Sequence, residues 1–143
     1  MIKVLVVDDQ SIFRDGLANL LSGNDSIIVV GKATNGLEAL EFLNKNPDTD
    51  VVMTDYRMPE LDGITLTKKI LQNNPLAKII VLTMYDDEER MLDSLLAGAK
   101  GFLSKDSESE ELFDSISDVY SGKYYLAPRN FQILINKLAK NLY

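Results

Sequence analysis

The 143-residue chain contains no cysteine and no histidine, and it carries a net charge of -7. Without cysteine it has no disulfide, no thiolate nucleophile and no zinc–sulfur or iron–sulfur site, and without histidine it has no Ser-His-Asp triad and no imidazole metal ligand. The length fits one domain with a substantial core and is too short for two. No apolar run approaches the roughly 18 residues that span a membrane, and the N-terminus lacks the pattern of a signal peptide. We therefore expect a cytoplasmic protein that does not contact the membrane.

The charge is divided unevenly along the chain. Residues 1–127 carry 12 basic and 22 acidic side chains, a net charge of -10, whereas residues 128–143 carry three basic side chains and no acidic one. Because phosphate contacts need an excess of lysine and arginine, the chain is not expected to bind nucleic acid by itself. The change in composition near residue 127 indicates a change of structural role.

Short apolar runs alternate with helical patterns along the first 121 residues. The runs are rich in β-branched residues and too short for helices, so they predict buried strands at residues 3–7, 27–30, 51–53, 78–82 and 101–103. Gly23, Gly98 and Gly122 stand where the end of a helix favours a residue with positive φ. Five strands alternating with five helices predict a doubly wound parallel sheet of the α/β class, since right-handed crossovers leave few other topologies.

Capping signals mark the predicted starts of three helices. Asn35 with Glu38 forms a capping-box pattern at the second helix, and Ser107 with Glu110 forms one at the fifth. The four acidic residues 86–89 suit the positive N-terminal end of the fourth helix.

Residues 122–143 form a segment distinct from the domain predicted at residues 1–121. Residues 124–128 are predicted to be a short linker, and Pro128 suits the first turn of a sixth helix. Apolar residues recur on one stripe of this helix, at Phe131, Leu134, Ile135, Leu138 and Leu142. Two interpretations stay open: the stripe packs on its own domain, or the helix serves as a linker or dimer helix.

Three carboxylates stand at two predicted strand ends. Asp8 and Asp9 follow the first strand, and Asp55 ends the third. In open α/β sheets ligands bind outside the carboxyl ends of the strands, and converging carboxylates raise one another's pKa unless a cation is present. Hard oxygen ligands suit Mg²⁺. The alternative is that Asp8 and Asp9 only cap the first helix, but a cap needs one acidic residue.

Two further strand ends supply a hydroxyl group and an ammonium group. Thr83 follows the fourth strand, and Ser104 and Lys105 follow the fifth. Each would be an ordinary loop residue if it stood alone. Together with Asp55, however, the set matches what an acyl phosphate requires: a divalent cation, a hydrogen bond and a positive charge near its oxygens.

Four motifs in this order resemble the CheY-like receiver domains of bacterial two-component response regulators. They are VVDD at 6–9, DYRMPELDG at 55–63, LT at 82–83 and GFLSK at 101–105. The resemblance covers residues 1–121 and implies a flavodoxin-like sheet of five strands in the order 2-1-3-4-5. Asp106 after the lysine and the tail SGKYYLAPRN resemble the NarL/FixJ type, whose members continue into a helix-turn-helix DNA-binding domain that this chain lacks.

The resemblance implies a phosphoryl-accepting site. Asp55 would receive the phosphoryl group from a sensor histidine kinase, since a chain without histidine cannot itself be the phosphohistidine donor. Mg²⁺ (or Mn²⁺) would be held directly by Asp9, Asp55 and the backbone carbonyl of Arg57, and through water by Asp8. Such a domain assists its own phosphorylation and dephosphorylation and is not otherwise an enzyme.

The resemblance also implies how the domain responds. Thr83 and Lys105 would bind the phosphoryl group, and Phe102 would turn inward as Thr83 moves. Two copies would then form a homodimer through the fourth helix, fifth strand and fifth helix, or through the first and fifth helices. The bulky Arg57 and Tyr85 side chains would shield the site from water and make self-dephosphorylation slow.

Rival functions can be weighed at single positions. A haloacid-dehalogenase-like phosphatase needs a second aspartate two residues after the nucleophile, where this chain has Arg57. Dinucleotide and P-loop enzymes need a glycine-rich motif after the first strand, where the chain reads DDQSIFRDG. A stand-alone receiver, signalling through protein contacts or a phosphorelay, shares every site residue. It stays open as the alternative to a receiver that controls a transcriptional output domain, which would reach DNA only through that domain.

Overall fold

A parallel β-sheet runs through the centre of the structure, a computed structural model that describes residues 1–85 and 87–142. The strands are β1 (Ile2–Val7), β2 (Ile27–Ala33), β3 (Val51–Asp55), β4 (Ile79–Thr83), β5 (Gly101–Ser104) and β6 (Tyr125–Leu126). The helices are α1 (Ser11–Ser22), α2 (Gly36–Lys45), α3 (Gly63–Asn73), α4 (Glu88–Ala97), α5 (Ser109–Tyr120) and α6 (Pro128–Leu142). None of the helices within these described ranges is long and apolar enough to cross a membrane.

The strands lie in the order β2-β1-β3-β4-β5-β6. The order of the first five confirms the predicted doubly wound sheet, with its switch point between β1 and β3. The predicted number of strands was wrong, because β6 adds a sixth where a linker was expected. Tyr125 and Leu126 pair in parallel with Gly101 and Phe102. A strand of two residues is too short to show the alternation by which strands are predicted.

The second strand is longer than the sequence indicates. β2 continues past the predicted end at residue 30 to Ala33, through Gly31 and Lys32. β2 is an edge strand, so polar residues are tolerated on it. A register shift between Val4 and Leu5 of β1 marks a bulge in this pairing.

Two apolar layers flank the sheet. α1 and α5 cover one face, chiefly through Leu17, Leu21, Leu112, Ile116 and Val119. α2, α3 and α4 cover the other, chiefly through Ala39, Leu66, Ile70 and Met91. Burial of each large aliphatic side chain contributes about 1.5–3 kcal/mol, so these layers hold the strand ends in fixed positions.

The predicted helix-terminal glycines have different conformations. Gly98 and Gly122 have φ values of 108° and 91°, which confirms the expectation at α4 and α5. Gly23 ends α1 with a φ of -76°, so the expected positive φ was wrong there. The N–H of Gly23 donates to the carbonyl of Leu20 in an ordinary helical turn, which needs no left-handed residue.

The capping predictions are confirmed at α2 and wrong by one residue at α5. Asn35 accepts a hydrogen bond from the N–H of Glu38, as expected. At α5 the capping box pairs residues 108 and 111. Ser107 does not cap because its hydroxyl donates to the carbonyl of Ser104 at 2.7 Å. At α4 the side chain of Asp87 is the cap, and Asp86, part of the predicted acidic turn, lies outside the described residues.

α6 packs on its own domain, against α4. Ile133 and Leu134 contact the core on the α4 side, and Lys137 Nζ lies 3.6 Å from the carboxylate of Glu88. Of the described members of the predicted stripe only Leu134 packs inward, whereas Phe131, Ile135 and Leu138 are exposed, so the helix packs on its domain but mostly not through the stripe. The side chain of Leu142 lies outside the description.

α3 begins in close contact with the end of β3. A Cβ atom built on Gly63 would lie 2.1 Å from the carbonyl oxygen of Asp55. The N–H of Gly63 donates to the carbonyl of Tyr56 at 3.0 Å, and Asp62 caps the helix. Only glycine, which has no Cβ, therefore allows α3 to begin this close to the loop that follows Asp55.

We expect Gly63→Ala to lower the free energy of unfolding by about 2 kcal/mol or more, because backbone atoms must move to admit the methyl group. Gly16→Ala in α1 is the matched control, since a Cβ there meets nothing within 4 Å. The control should raise stability by about 0.5–1 kcal/mol, as Ala suits a helix better than Gly. Urea denaturation followed by circular dichroism measures both, and equal stabilities of the two variants would contradict the close approach.

Candidate functional site

The carboxyl ends of β1, β3, β4 and β5 meet at one edge of the sheet. β1 leads into Asp8, β3 ends at Asp55, β4 ends at Thr83 and β5 leads into Lys105. Parallel pairing brings Asp55 beside Leu82 and Thr83 beside Ser104. Topology therefore gathers side chains that lie far apart in sequence, as expected for a switch-point site.

Three carboxylates form a cluster at this edge. One oxygen from each of Asp8, Asp9 and Asp55 lies within 4.8 Å of the others. Asp8 and Asp55 are buried, whereas Asp9 is exposed. Burial raises the pKa of Asp55, the neighbouring Asp8 raises it further, and Lys105 opposes both effects. Three hard oxygen donors at this spacing fit a small divalent cation such as Mg²⁺.

Lys105 joins two members of the cluster. Its Nζ lies 2.7 Å from Asp8 Oδ2 and 3.1 Å from Asp55 Oδ2. It also donates to Gln10 Oε1 at 3.3 Å and lies 4.5 Å from the ring centre of Phe13. Gln10 and Phe13 were not predicted as site residues, because an amide just before a helix and an aromatic in its first turn carry no motif.

Asp8 also serves the loop that leads into α1. Its Oδ1 accepts a hydrogen bond from the N–H of Gln10 at 2.8 Å, while its Oδ2 faces Lys105. The residue preceding α1 makes no side-chain cap. Asp8 therefore does not cap α1: it holds the loop before the helix and forms an ion pair with Lys105.

Thr83 is buried, and its hydroxyl is engaged by its own loop. Oγ1 accepts from the N–H of Tyr85 at 3.2 Å and donates to the carbonyl of Tyr85 at 3.3 Å. Phe102 is fully buried among residues of β6, α4 and α6. The side chain of Phe102 already lies in the core in this structure, and Phe102 pairs with Leu126 of β6. The movement expected on phosphorylation stays a prediction.

A cavity of about 640 Å³ opens over Asp55. Arg57, Tyr85 and Arg90 stand at its mouth, and the backbone N–H of Arg57 donates to Asp55 Oδ1 at 3.3 Å. The Arg90 guanidinium lies 5.6 Å from the ring centre of Tyr56 and 5.5 Å from that of Tyr85. Arg90 was not predicted as a site residue, although its spacing of three residues from Asp87, the cap of α4, was a readable signal for their ion pair.

Tyr56 anchors the other side of this mouth. Its hydroxyl donates to the carboxylate of Asp93 at 2.9 Å, which ties the loop after β3 to α4. Burial and the hydrogen bond to Asp93 raise the pKa of Tyr56 to about 12. The phenol therefore stays protonated at neutral pH and keeps this link.

The sheet order and the acidic pocket at the β1/β3 switch point define a CheY-like α/β domain. The chain belongs to the response regulator receiver domain family, whose model matches residues 4–117.

Relatives and solved structures agree with this assignment. The chain is 42% identical to the uncharacterized transcriptional regulatory protein YhcZ of Bacillus subtilis over 125 residues, and 35% identical to the oxygen regulatory protein NreC of Staphylococcus carnosus over 140 residues. These matches cover 87% and 97% of this chain, but only 58% and 64% of the relatives. The signal receiver domain of the putative response regulator NarL from Mycobacterium tuberculosis has a TM-score of 0.80 and 34% identity, covering 85% of this chain and 98% of that one.

The raised pKa of Asp55 predicts a pH-dependent effect on stability in a metal chelator. Because the folded-state pKa lies above the ordinary value of 3.8, ionisation of Asp55 opposes folding. This cost is absent at lower pH, grows as the pH rises from the unfolded-state pKa to the folded-state pKa, and is complete above the latter. Asp55→Asn should therefore be more stable than the wild type at pH 7 and equally stable near pH 3.5.

Thermal denaturation at the two pH values measures this difference. Asp114→Asn, which removes one exposed acidic charge from α5, is the control and should change stability by no more than about 0.5 kcal/mol at either pH. An Asp55→Asn variant less stable than the wild type at pH 7 would show that the attraction of Lys105 outweighs burial and the repulsion of Asp8.

Proposed function

We propose that this chain is the phosphorylation-activated part of a two-component response regulator and that Asp55 is its phosphoryl acceptor. The observation that carries the proposal is the position of the Asp55 carboxylate: it lies 3.1 Å from the Lys105 ammonium, shares a cluster with Asp8 and Asp9, and opens onto a cavity. No other described carboxylate is grouped in this way with two further acids.

The proposed step is the transfer of a phosphoryl group to a carboxylate oxygen of Asp55. That oxygen forms a bond to phosphorus while the bond between phosphorus and the donor atom breaks, and the donor keeps the bonding electrons. Lys105 stabilises the negative charge on the transferred group, and the hydroxyl of Thr83 becomes a donor to it when it leaves Tyr85. Mg²⁺ held by Asp9, Asp55 and the Arg57 carbonyl, and through water by Asp8, would neutralise further charge.

The donor is proposed to be the phosphohistidine of a sensor histidine kinase, or a small acyl phosphate. The chain has no histidine, so the donor must be another molecule. Ile12 supports a protein donor, because its side chain is 90% exposed on α1, two residues after Gln10 at the edge of the site. An apolar side chain this exposed beside a cavity offers a contact to a docked partner.

The output is proposed to be transcriptional, through a helix-turn-helix domain outside this chain. The support is that the relatives are longer than the matched region and that several are named transcriptional regulators. A stand-alone receiver is the alternative. Phosphorylation-dependent pairing through α1 and α5 is favoured over pairing through α4, β5 and α5, because β6 lies along β5 and α6 packs on α4.

The assignment of Asp55 is tested by labelling with acetyl phosphate and with a phosphorylated kinase. We expect one alkali-labile phosphoryl group per wild-type chain, as for an acyl phosphate, and no stable label on Asp55→Asn. Asp62→Asn is the matched control, because it removes a carboxylate from the mouth of the same cavity yet keeps a residue that can cap α3. Equal labelling of wild type and Asp55→Asn would overturn the assignment.

Metal binding is tested without any phosphoryl donor. Mg²⁺ at a hundredfold excess over its dissociation constant should stabilise the folded chain by about 2.7 kcal/mol, and Ca²⁺ should act poorly if the site is small and octahedral. Asp9→Ala should lose most of this increase in melting temperature. In chelator the same variant should be at least as stable as the wild type, since one of three like charges is gone.

Asp114→Ala serves as the control for metal binding and should keep the full response to Mg²⁺. An unchanged response in Asp9→Ala would place the metal elsewhere.

The lifetime of the phosphoryl group is proposed to depend on Arg57 and Tyr85. Both side chains line the cavity, and the guanidinium of Arg90 lies 5.5 Å from the centre of the Tyr85 ring. We expect loss of the label over hours in the wild type and a faster loss in the double variant Arg57→Ala and Tyr85→Ala. Tyr124→Ala, which truncates an exposed tyrosine outside this cavity, should not change the rate. Equal rates in all three proteins would argue against shielding from water.

A further inference from the structure

α6 has a second apolar stripe in addition to the face that packs on α4. The inner face consists of Asn130, Ile133, Leu134 and Lys137, all buried or half-buried. The outer stripe consists of Phe131, Ile135 and Leu138, which are 56%, 42% and 49% exposed. At 100° per residue the centres of the two faces are about 120° apart, so the outer stripe can bind a partner while α6 stays on α4.

The spacing of the outer stripe is that of a coiled coil. Successive members lie four and three residues apart, and Leu142 continues the register in the sequence after a further four. This places Ile135 at an a position and Phe131 and Leu138 at d positions of a heptad. In a parallel coiled coil, isoleucine at a with leucine at d favours two strands over three or four.

The charges on α6 leave this stripe free of repulsion between copies. Its basic residues occupy heptad positions b, c and f, which point away from the a and d positions of the stripe. They are Arg129, Lys137 and Lys140. The positions that flank the stripe, e and g, hold the uncharged Gln132, Leu134, Ala139 and Asn141. An oppositely charged partner would find no charge to pair with along the stripe, whereas a second copy of the same helix matches it in both shape and polarity.

We propose that the outer stripe of α6 is a self-association surface, at which two copies of this chain pair through parallel α6 helices as a short two-stranded coiled coil. The surface lies on the opposite side of the sheet from α1 and α5, and it needs no chemistry at Asp55. Two heptads bury little area, so the pairing is weak and depends on protein concentration.

Sedimentation equilibrium of the chain without any phosphoryl donor tests the proposal. Between about 10 µM and about 1 mM, the mass should rise from that of the 16.0 kDa monomer toward that of a dimer. The double variant Ile135→Lys and Leu138→Lys should weaken pairing at least tenfold, while Leu76→Lys, at an exposed leucine between α3 and β4, should not. Asp55→Asn should pair like the wild type, so the result is separate from the proposed phosphoryl acceptor.

The orientation can be read from cross-linking, because the chain has no cysteine of its own. Under mild oxidation Leu138→Cys should form a disulfide-linked dimer, since equivalent d positions meet in a parallel pair, and Lys140→Cys at an f position should not. Cross-linking only in a mixture of Ile135→Cys and Leu138→Cys chains would overturn the parallel arrangement, because an a position faces a d position in an antiparallel pair. A wild type that stays monomeric at 1 mM, or a lysine double variant that pairs as well as the wild type, would overturn the self-association surface.

Discussion

The buried ion pair between Lys105 and the carboxylates of Asp8 and Asp55 is the interaction on which the site depends. Two buried acids at neighbouring strand ends repel each other and lose hydration, and one ammonium group at 2.7 and 3.1 Å offsets part of that cost. Burial and the neighbouring Asp8 still raise the pKa of Asp55, so Lys105 does not offset the whole cost of ionising it. A pocket with more negative than positive charge is ready to accept a cation. The packed layers of the sheet prevent its carboxylates from moving apart.

The parts of the fold that could be predicted are those in which local pattern and tertiary packing agree. β1, β3, β4 and β5 are buried on both faces, so their sequences are continuous apolar runs, and the side chain that follows each run lies at the same edge of the sheet. The convergence of Asp8, Asp55 and Lys105 follows from that topology alone. The contacts of Gln10 and Phe13 with Lys105, and those of Arg90 with the rings of Tyr56 and Tyr85, could not be predicted, because they depend on side-chain directions that sequence spacing does not determine.

The parts that could not be predicted lie at the C-terminal end. Tyr125 and Leu126 form a strand because they pair with the edge of β5. Their own sequence has no strand periodicity that would predict this. The stripe on α6 could be recognised as apolar but not assigned to the inner or the outer side, since a helix with two apolar faces has no unique inner side in its sequence. The burial of Phe102 follows from both features, because the segment that encloses it was expected to be a linker.

The two edges of the sheet also affect how the protein behaves at high concentration. One edge ends in β6, which is only two residues long, and the other ends in β2, where a bulge interrupts the register and Lys32 pairs with Asp15 at 3.2 Å. Short, bulged or charged edges are poor templates for pairing with another chain's strand, which is the first step of amyloid-like aggregation. Without β6, the edge of the fully buried β5 would be open to such pairing, so the short C-terminal strand also protects the solubility of the domain.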